Sequence, residues 1–146
     1  RDKTASYTFA LPLRLAAVLA EGEDRTDLKN LGLELGVLYQ IKDDHLDLFS
    51  GSEDTGKPEV SDLVEGKTTL HTELLEQRNG TEINGDVSQK KAQKLLSEMR
   101  EQSIDSAVEK EMAERKEAIE EKIETLDEGL ADLLAQVVDL VVERER

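Results

Sequence analysis

Three carboxylates, Asp43, Asp44 and Asp47, stand together in the segment Tyr39-Gln40-Ile41-Lys42-Asp43-Asp44-His45-Leu46-Asp47-Leu48-Phe49, whose remaining pattern is helical. On a helix, Asp43 and Asp47 form an i,i+4 pair and Asp44 and Asp47 an i,i+3 pair, so all three project toward one small volume. Like charges at that spacing repel by about 0.2–0.5 kcal/mol per pair. A helix that keeps them has reason to hold a cation. Hard divalent ions such as Mg²⁺ take oxygen ligands, typically one or two carboxylates with substrate phosphates completing the shell. Lysines would then hold the phosphate charge left over, and the chain offers Lys3, Lys57 and Lys67 around the cluster. Acidic residues on a solvated helix face explain the same triplet without any ligand. Alone, the carboxylates leave both readings open.

The elements that must position these groups read as helices. Aromatic residues make up 3% of the chain and proline is rare, so an all-α helical bundle is expected. Residues 3–20 form a first helix with Ala5, Phe9, Leu13, Ala16, Ala17 and Ala20 along it, bent where Pro12 removes a backbone donor. Residues 25–49 form a second, with Leu28, Leu31, Leu35, Leu38, Ile41 or Lys42, then Leu46 and Phe49 on a 3.6-residue period. Gly32 and Gly36 lie one turn apart inside it. Each costs about 1 kcal/mol against alanine in a helix, which predicts a close neighbour there. A polar loop over 50–62 precedes a short helix at 66–78, and a break follows at 79–86. Beyond Val87, three apolar stripes appear. Ala92, Leu95, Leu96 and Met99 form the first, and Ile104, Val108, Met112, Ile119, Ile123 and Leu126 the second. Leu130, Leu134, Val137, Val138 and Val141 form the third. Residues 87–146 read as helices completing a bundle, with Glu and Lys on their solvated faces and no chemistry of their own.

The whole chain narrows the function classes. At 146 residues it suits one domain, and without cysteine it has neither disulfides nor cysteine-bound zinc. Two histidines, His45 and His71, are too few for a histidine-based metal site. No signal peptide or membrane span is readable, which points to a cytoplasmic protein. A net charge of −15 argues against nucleic acid or an anionic membrane as partner. That acidity fits a surface tuned to concentrated salt, where screening removes self-repulsion. Equal stability in dilute buffer and in molar KCl would defeat this reading. The chain begins with Arg1 rather than Met, which hints at a piece of something longer.

Two short patterns mislead. Gly51 to Lys57 has P-loop spacing, but Pro58 stands where a Mg²⁺-binding hydroxyl should be, and Glu53 and Asp54 occupy the phosphate position. Asn79-Gly80-Thr81 matches a glycosylation acceptor without a secretory context.

Four segments taken in order carry more. These are Lys3-Thr4-Ala5-Ser6-Tyr7-Thr8-Phe9 with Leu11-Pro12, then 39–49, then Gly56-Lys57-Pro58, then Ser61-Asp62-Leu63-Val64-Glu65-Gly66-Lys67-Thr68-Thr69-Leu70. Together they resemble successive signatures of the trans-isoprenyl diphosphate synthases, over residues 1–78. The resemblance implies an all-helical prenyltransferase that extends an allylic diphosphate with isopentenyl diphosphate. It implies that Asp43, Asp44 and Asp47 are the second aspartate-rich motif, with Asp43 and Asp47 the foremost Mg²⁺ contacts. Lys3 and Lys57 match lysines that bind the departing diphosphate, and Lys67 matches a further substrate-binding position. Thr4 and Gln40 match groups that stabilise a carbocation, while Tyr7 and Tyr39 match positions near the isopentenyl substrate. Each also has a plain structural reading: Thr4 a helix cap, Gln40 a surface residue, the tyrosines packing aromatics, and Lys67 part of a helix start. His45 stands at a position that varies within the motif, and no ligand role is expected of it.

The first aspartate-rich motif and the basic residues for isopentenyl diphosphate do not occur in the sequence. The resemblance therefore implies the C-terminal half of a synthase, inactive alone and a homodimer when intact. Half a bundle would expose apolar faces. The alternative is a helical interaction module derived from the same scaffold with idle carboxylates. A terpene cyclase shares a DDxxD but is disfavoured by the segment from Gly56 to Leu70.

Overall fold

A computed structural model of the chain describes residues 5–22, 25–49, 60–80, 83 and 85–144, with Ala20 and Glu21 by backbone alone. It is all-α, with no strand among the described residues. A π-helical segment, Ala5–Ala10, leads into α1 (Leu11–Glu21), followed by α2 (Thr26–Phe49), α3 (Ser61–Val64) and α4 (Leu70–Asn79). The C-terminal part contains α5 (Gln89–Glu101), α6 (Ile104–Ile123) and α7 (Glu128–Val142). Two compact units divide the chain: Arg1–Lys42 with Met112–Arg146, and Asp43–Glu111. Helices α2 and α6 contribute residues to both.

In the first unit, where the sequence predicts a bend at Pro12, the structure shows a change of winding. Proline has no amide hydrogen, so it sits best in a helix's first turn, where that donor is unneeded. Pro12 occupies that place in α1, and the preceding residues wind as a π-helix. Gly22, at φ 78°, closes α1 in the left-handed region. The π segment lies directly on the two glycines of α2. A Cβ built on Gly32 would fall 2.6 Å from the Ala10 Cα, and one on Gly36 would overlap Ala5. The sequence reading of these glycines is thus accounted for by backbone against backbone. Leu28, Leu31, Leu35 and Leu38 of α2, Ile119 and Ile123 of α6, and Leu134, Val138 and Val141 of α7 are buried. Lys122 reaches across to Glu34 at 2.6 Å, and Lys116 to Asp139 at 3.0 Å. The exposed apolar faces fall here too: Tyr7 is 69% exposed, Leu15 51%, Leu19 85% and Leu140 73%.

The second unit is built around short, capped elements. The helix expected over 66–78 begins later, as α4 from Leu70, and the short α3 precedes it, starting inside the stretch expected to be a loop; Gly66, at φ 63°, turns the chain between them. Thr69 then starts α4 with a reciprocal cap. Its hydroxyl accepts from the Thr72 amide, and the Thr72 hydroxyl accepts from the Thr69 amide at 2.9 Å. The Val87 amide donates to the Val64 carbonyl at 3.0 Å, tying the entry to α5 back to α3. At the far end of α4, the Gln102 amide donates to the Asn79 side-chain oxygen at 2.6 Å, and the Arg78 guanidinium donates to the Gln102 carbonyl. Leu63, Leu75, Ala92, Leu95, Leu96, Met99, Ile104 and Val108 are buried, so the stripes read from sequence are the inward faces.

Candidate functional site

Helix α2 runs unbroken from Thr26 to Phe49 and carries Tyr39, Gln40, Asp43, Asp44 and Asp47 in its last three turns. Continuous winding puts Asp43 and Asp47 one turn apart, but the expectation that all three carboxylates project toward one small volume is not met, because burial sets Asp44 apart. Asp44 is turned inward at 8% exposure, whereas Asp43 and Asp47 are partly exposed. Among the described residues, no three carboxylate or imidazole side chains converge to enclose a metal ion.

Other site candidates fall in different surroundings. Lys3, Thr4 and Lys57 lie outside the described residues. Tyr7 is exposed and Gln40 partly buried. Tyr39 is packed in an aromatic and cationic setting: its ring is 5.7 Å from that of Phe9, and the Arg144 guanidinium carbon lies 4.9 Å above it. Lys67 donates to Asp62 at 2.6 Å and lies 3.1 Å from Glu65. The hydrogen bond it donates to Asp62, then that to Glu65, holds its ammonium well above the ordinary lysine range. Much of the Lys67 charge is therefore balanced within its own turn.

Two features of this region escape sequence reading. The first is Arg144, which sits in a terminal run of charges that reads as solvated. The second is a pairing of the two histidines. His45 Nδ1 and His71 Nε2 are 3.2 Å apart across 26 residues, and both side chains are buried. The imidazole rings stack at 5.4 Å and 27°, and the Phe49 ring packs on both, at 5.1 Å from His45 and 5.6 Å from His71. On the other side of His45, Nε2 is 3.7 Å from a Glu109 carboxylate oxygen. That negative charge favours the tautomer in which His45 Nε2 carries the hydrogen and Nδ1 accepts from His71. Their sequence positions carry no periodic signal for this contact, since the histidines lie on different helices.

The family profile described as polyprenyl synthetase matches residues 1–110. The chain is 34% identical over 151 residues to a geranylfarnesyl diphosphate synthase of Natronomonas pharaonis, covering 97% of this chain and 43% of that protein. It is 30% identical over 160 residues to the farnesyl pyrophosphate synthase of Saccharomyces cerevisiae, covering 99% of this chain and 44% of the relative. Among solved structures, it is similar to a geranylgeranyl pyrophosphate synthase from Corynebacterium glutamicum complexed with isoprenyl diphosphate and magnesium. That match has a TM-score of 0.78 and 26% identity, covering 98% of this chain and 44% of the other. The chain thus spans less than half the length of these relatives.

Proposed function

The chain belongs to the polyprenyl synthetase family, and on that footing we propose that it supplies the Mg²⁺- and diphosphate-holding wall of a prenyltransferase. The intact enzyme would condense an allylic diphosphate with isopentenyl diphosphate. One observation carries this reading: Asp43 and Asp47 sit one turn apart on α2 and are partly exposed, while Asp44 between them is buried. This donor set suits a hard cation that keeps much of its shell for water and phosphate oxygens.

In this reading Asp43 and Asp47 hold Mg²⁺, with Asp44 behind them, and Lys3 and Lys57 bind the diphosphate. Lys67 supplies a further substrate-side cation from its ion-paired turn. When bound, Mg²⁺ supplies charge neutralisation for the departing diphosphate. The allylic carbon–oxygen bond breaks with its electron pair going to the diphosphate. The Thr4 hydroxyl and Gln40 amide oxygens would stabilise the carbocation left behind, as dipoles rather than as nucleophiles. Tyr7 and Tyr39 line the isopentenyl side, where the Phe9 ring beside Tyr39 restricts that ring's orientation. Turnover requires the first aspartate motif and the isopentenyl-binding cations, contributed by the other half of an intact synthase that works as a homodimer.

The test is titration of the folded chain, in molar KCl, with Mg²⁺ and an unreactive allylic diphosphate analogue. Saturable binding that weakens at least ~10-fold in Asp43→Ala and Asp47→Ala is expected. Binding that ignores both substitutions would sink the reading. No binding by a folded chain would favour the interaction-module alternative, in which the exposed row Tyr7, Leu11, Leu15, Val18 and Leu19 is the active surface. Stoichiometric association with a chain carrying the first aspartate motif, without ligand, would then be the positive sign.

A further inference from the structure

The end of α2 is a poor place for a helix to stay wound. Its last two turns hold Asp43, Asp44 and Asp47, whose charges repel one another. The carbonyl end of the helix macrodipole is negative and disfavours carboxylates there, and the last turn contains no basic residue. Some tertiary contact must fix these turns if the carboxylates are to present a defined geometry.

We propose that His71 is a positioning residue for the aspartate edge: its hydrogen bond to His45 fixes the rotation of the last turns of α2 and so aims Asp43 and Asp47. This rests on the function proposed above for the two carboxylates. The helical geometry is specific. At about 100° per residue, positions two before and two after His45 lie on the opposite side of the helix from it. Fixing His45 inward therefore turns Asp43 and Asp47 outward together, and a rotation by one residue would carry them away by about 100°. Leu48 is buried beside this contact and Phe49 packs on it, and the hydrogen bond adds a direction that apolar contact lacks.

The anchor is stiff. His71 is 0% exposed and lies in the first turn of α4, two residues after Thr69 and one before Thr72, whose reciprocal cap fixes that turn. Both rings are clamped by Phe49, and Glu109 flanks the far edge of His45. All these residues, and the three aspartates, belong to the single unit Asp43–Glu111.

Two substitutions separate the hydrogen bond from the packing: His71→Phe keeps a ring and loses the bond, and His71→Gln keeps an amide donor and loses the ring. In the full chain in molar KCl, His71→Phe is expected to speed amide hydrogen exchange at residues 43–48 by at least ~10-fold, leaving residues 89–101 unaltered. It is also expected to weaken binding of Mg²⁺ with inorganic pyrophosphate by about 10-fold, the usual cost of losing an outer-shell partner. His71→Gln should restore most of both. The proposal is overturned if exchange at 43–48 is unchanged in His71→Phe, or rises equally across the unit. It is also overturned if the parent binds Mg²⁺ and pyrophosphate and His71→Phe binds them as tightly. A parent chain that binds neither defeats the functional reading instead, and the exchange comparison still decides whether His71 fixes the turns. Should both variants fail to fold, a nitrogen–nitrogen coupling across the His45–His71 bond in the unmodified chain supports the proposal, and its absence overturns it.

Discussion

The two ends of α2 are held by different means. Its first turns are gripped by apolar surface and backbone: Leu28, Leu31, Leu35 and Leu38 are buried, and Gly32 and Gly36 let the π segment touch the helix without intervening side chains. Its last turns keep buried apolar residues, Ile41 and Leu48, but add polar contacts, with Asp44 and His45 turned inward and His71 hydrogen-bonded to His45. Apolar contact is strong but weakly directional, and it suits a strut. Hydrogen bonding adds little net stability, roughly 0.5–1.5 kcal/mol, but it fixes angles, and that suits an edge presenting ligands. One helix thereby joins a stability element to a candidate functional one.

The sharpest way to break the strut is Leu38→Ala. Leu38 is 0% exposed, and truncation should cost about 2–5 kcal/mol by denaturant unfolding, with loss of the folded baseline as the extreme result. Next is Gly36→Ala, which would gain up to about 1 kcal/mol by helix propensity on an open helix. Here the new methyl overlaps Ala5, so overpacking of about 1–3 kcal/mol should win and the melting temperature should fall. A rise would mean that the π segment moves away at little cost.

At the polar end the expected signs reverse. Asp47→Asn removes a repelling charge and should stabilise the chain by about 0.2–0.5 kcal/mol while weakening Mg²⁺ binding. Stability and binding changing in the same direction would make Asp47 an ordinary structural residue. The smallest effect comes from alkali. The Lys67 pKa is raised in the folded chain above its ordinary value of 10.5, so the stabilisation from its pairing with Asp62 and Glu65 is complete below that pH. It is lost as pH rises further, through the folded value. The pair is exposed and contributes below about 1 kcal/mol, so the effect should appear as faster local amide exchange over 62–67 above pH 10.5 rather than as global unfolding. Lys67→Met should remove the excess over the base-catalysed rise in exchange that every amide shows.

Much of this architecture could be read residue by residue. The expected second helix, 25–49, is α2, Thr26–Phe49, because leucines on a 3.6-residue period need one buried face. The stripes Ala92 to Met99 and Ile104 to Ile123 are buried for the same reason, whereas Leu126 and Leu130 are only half-buried beside the turn into α7. The first helix was legible as an element but not in its winding, since Pro12 signals a missing donor without saying how the chain absorbs it. The short helix after the loop is legible over 66–78, but its start at Leu70 and the separate turn of α3 before it are not. Gly66 takes a positive φ and Thr69 forms a cap, and those local choices depend on what packs around them.

The candidate site divides along the same line. Sequence alone determined the carboxylate triplet, the one-turn spacing of Asp43 and Asp47 and the order of the neighbouring motifs, because helical periodicity converts an i,i+4 spacing directly into a shared face. Tertiary structure alone decided that Asp44 turns inward while Asp43 and Asp47 remain partly exposed, that Arg144 lies over Tyr39, and that His45 meets His71. Those contacts join residues far apart in the chain, and no local periodicity encodes which distant side chain fills a given space.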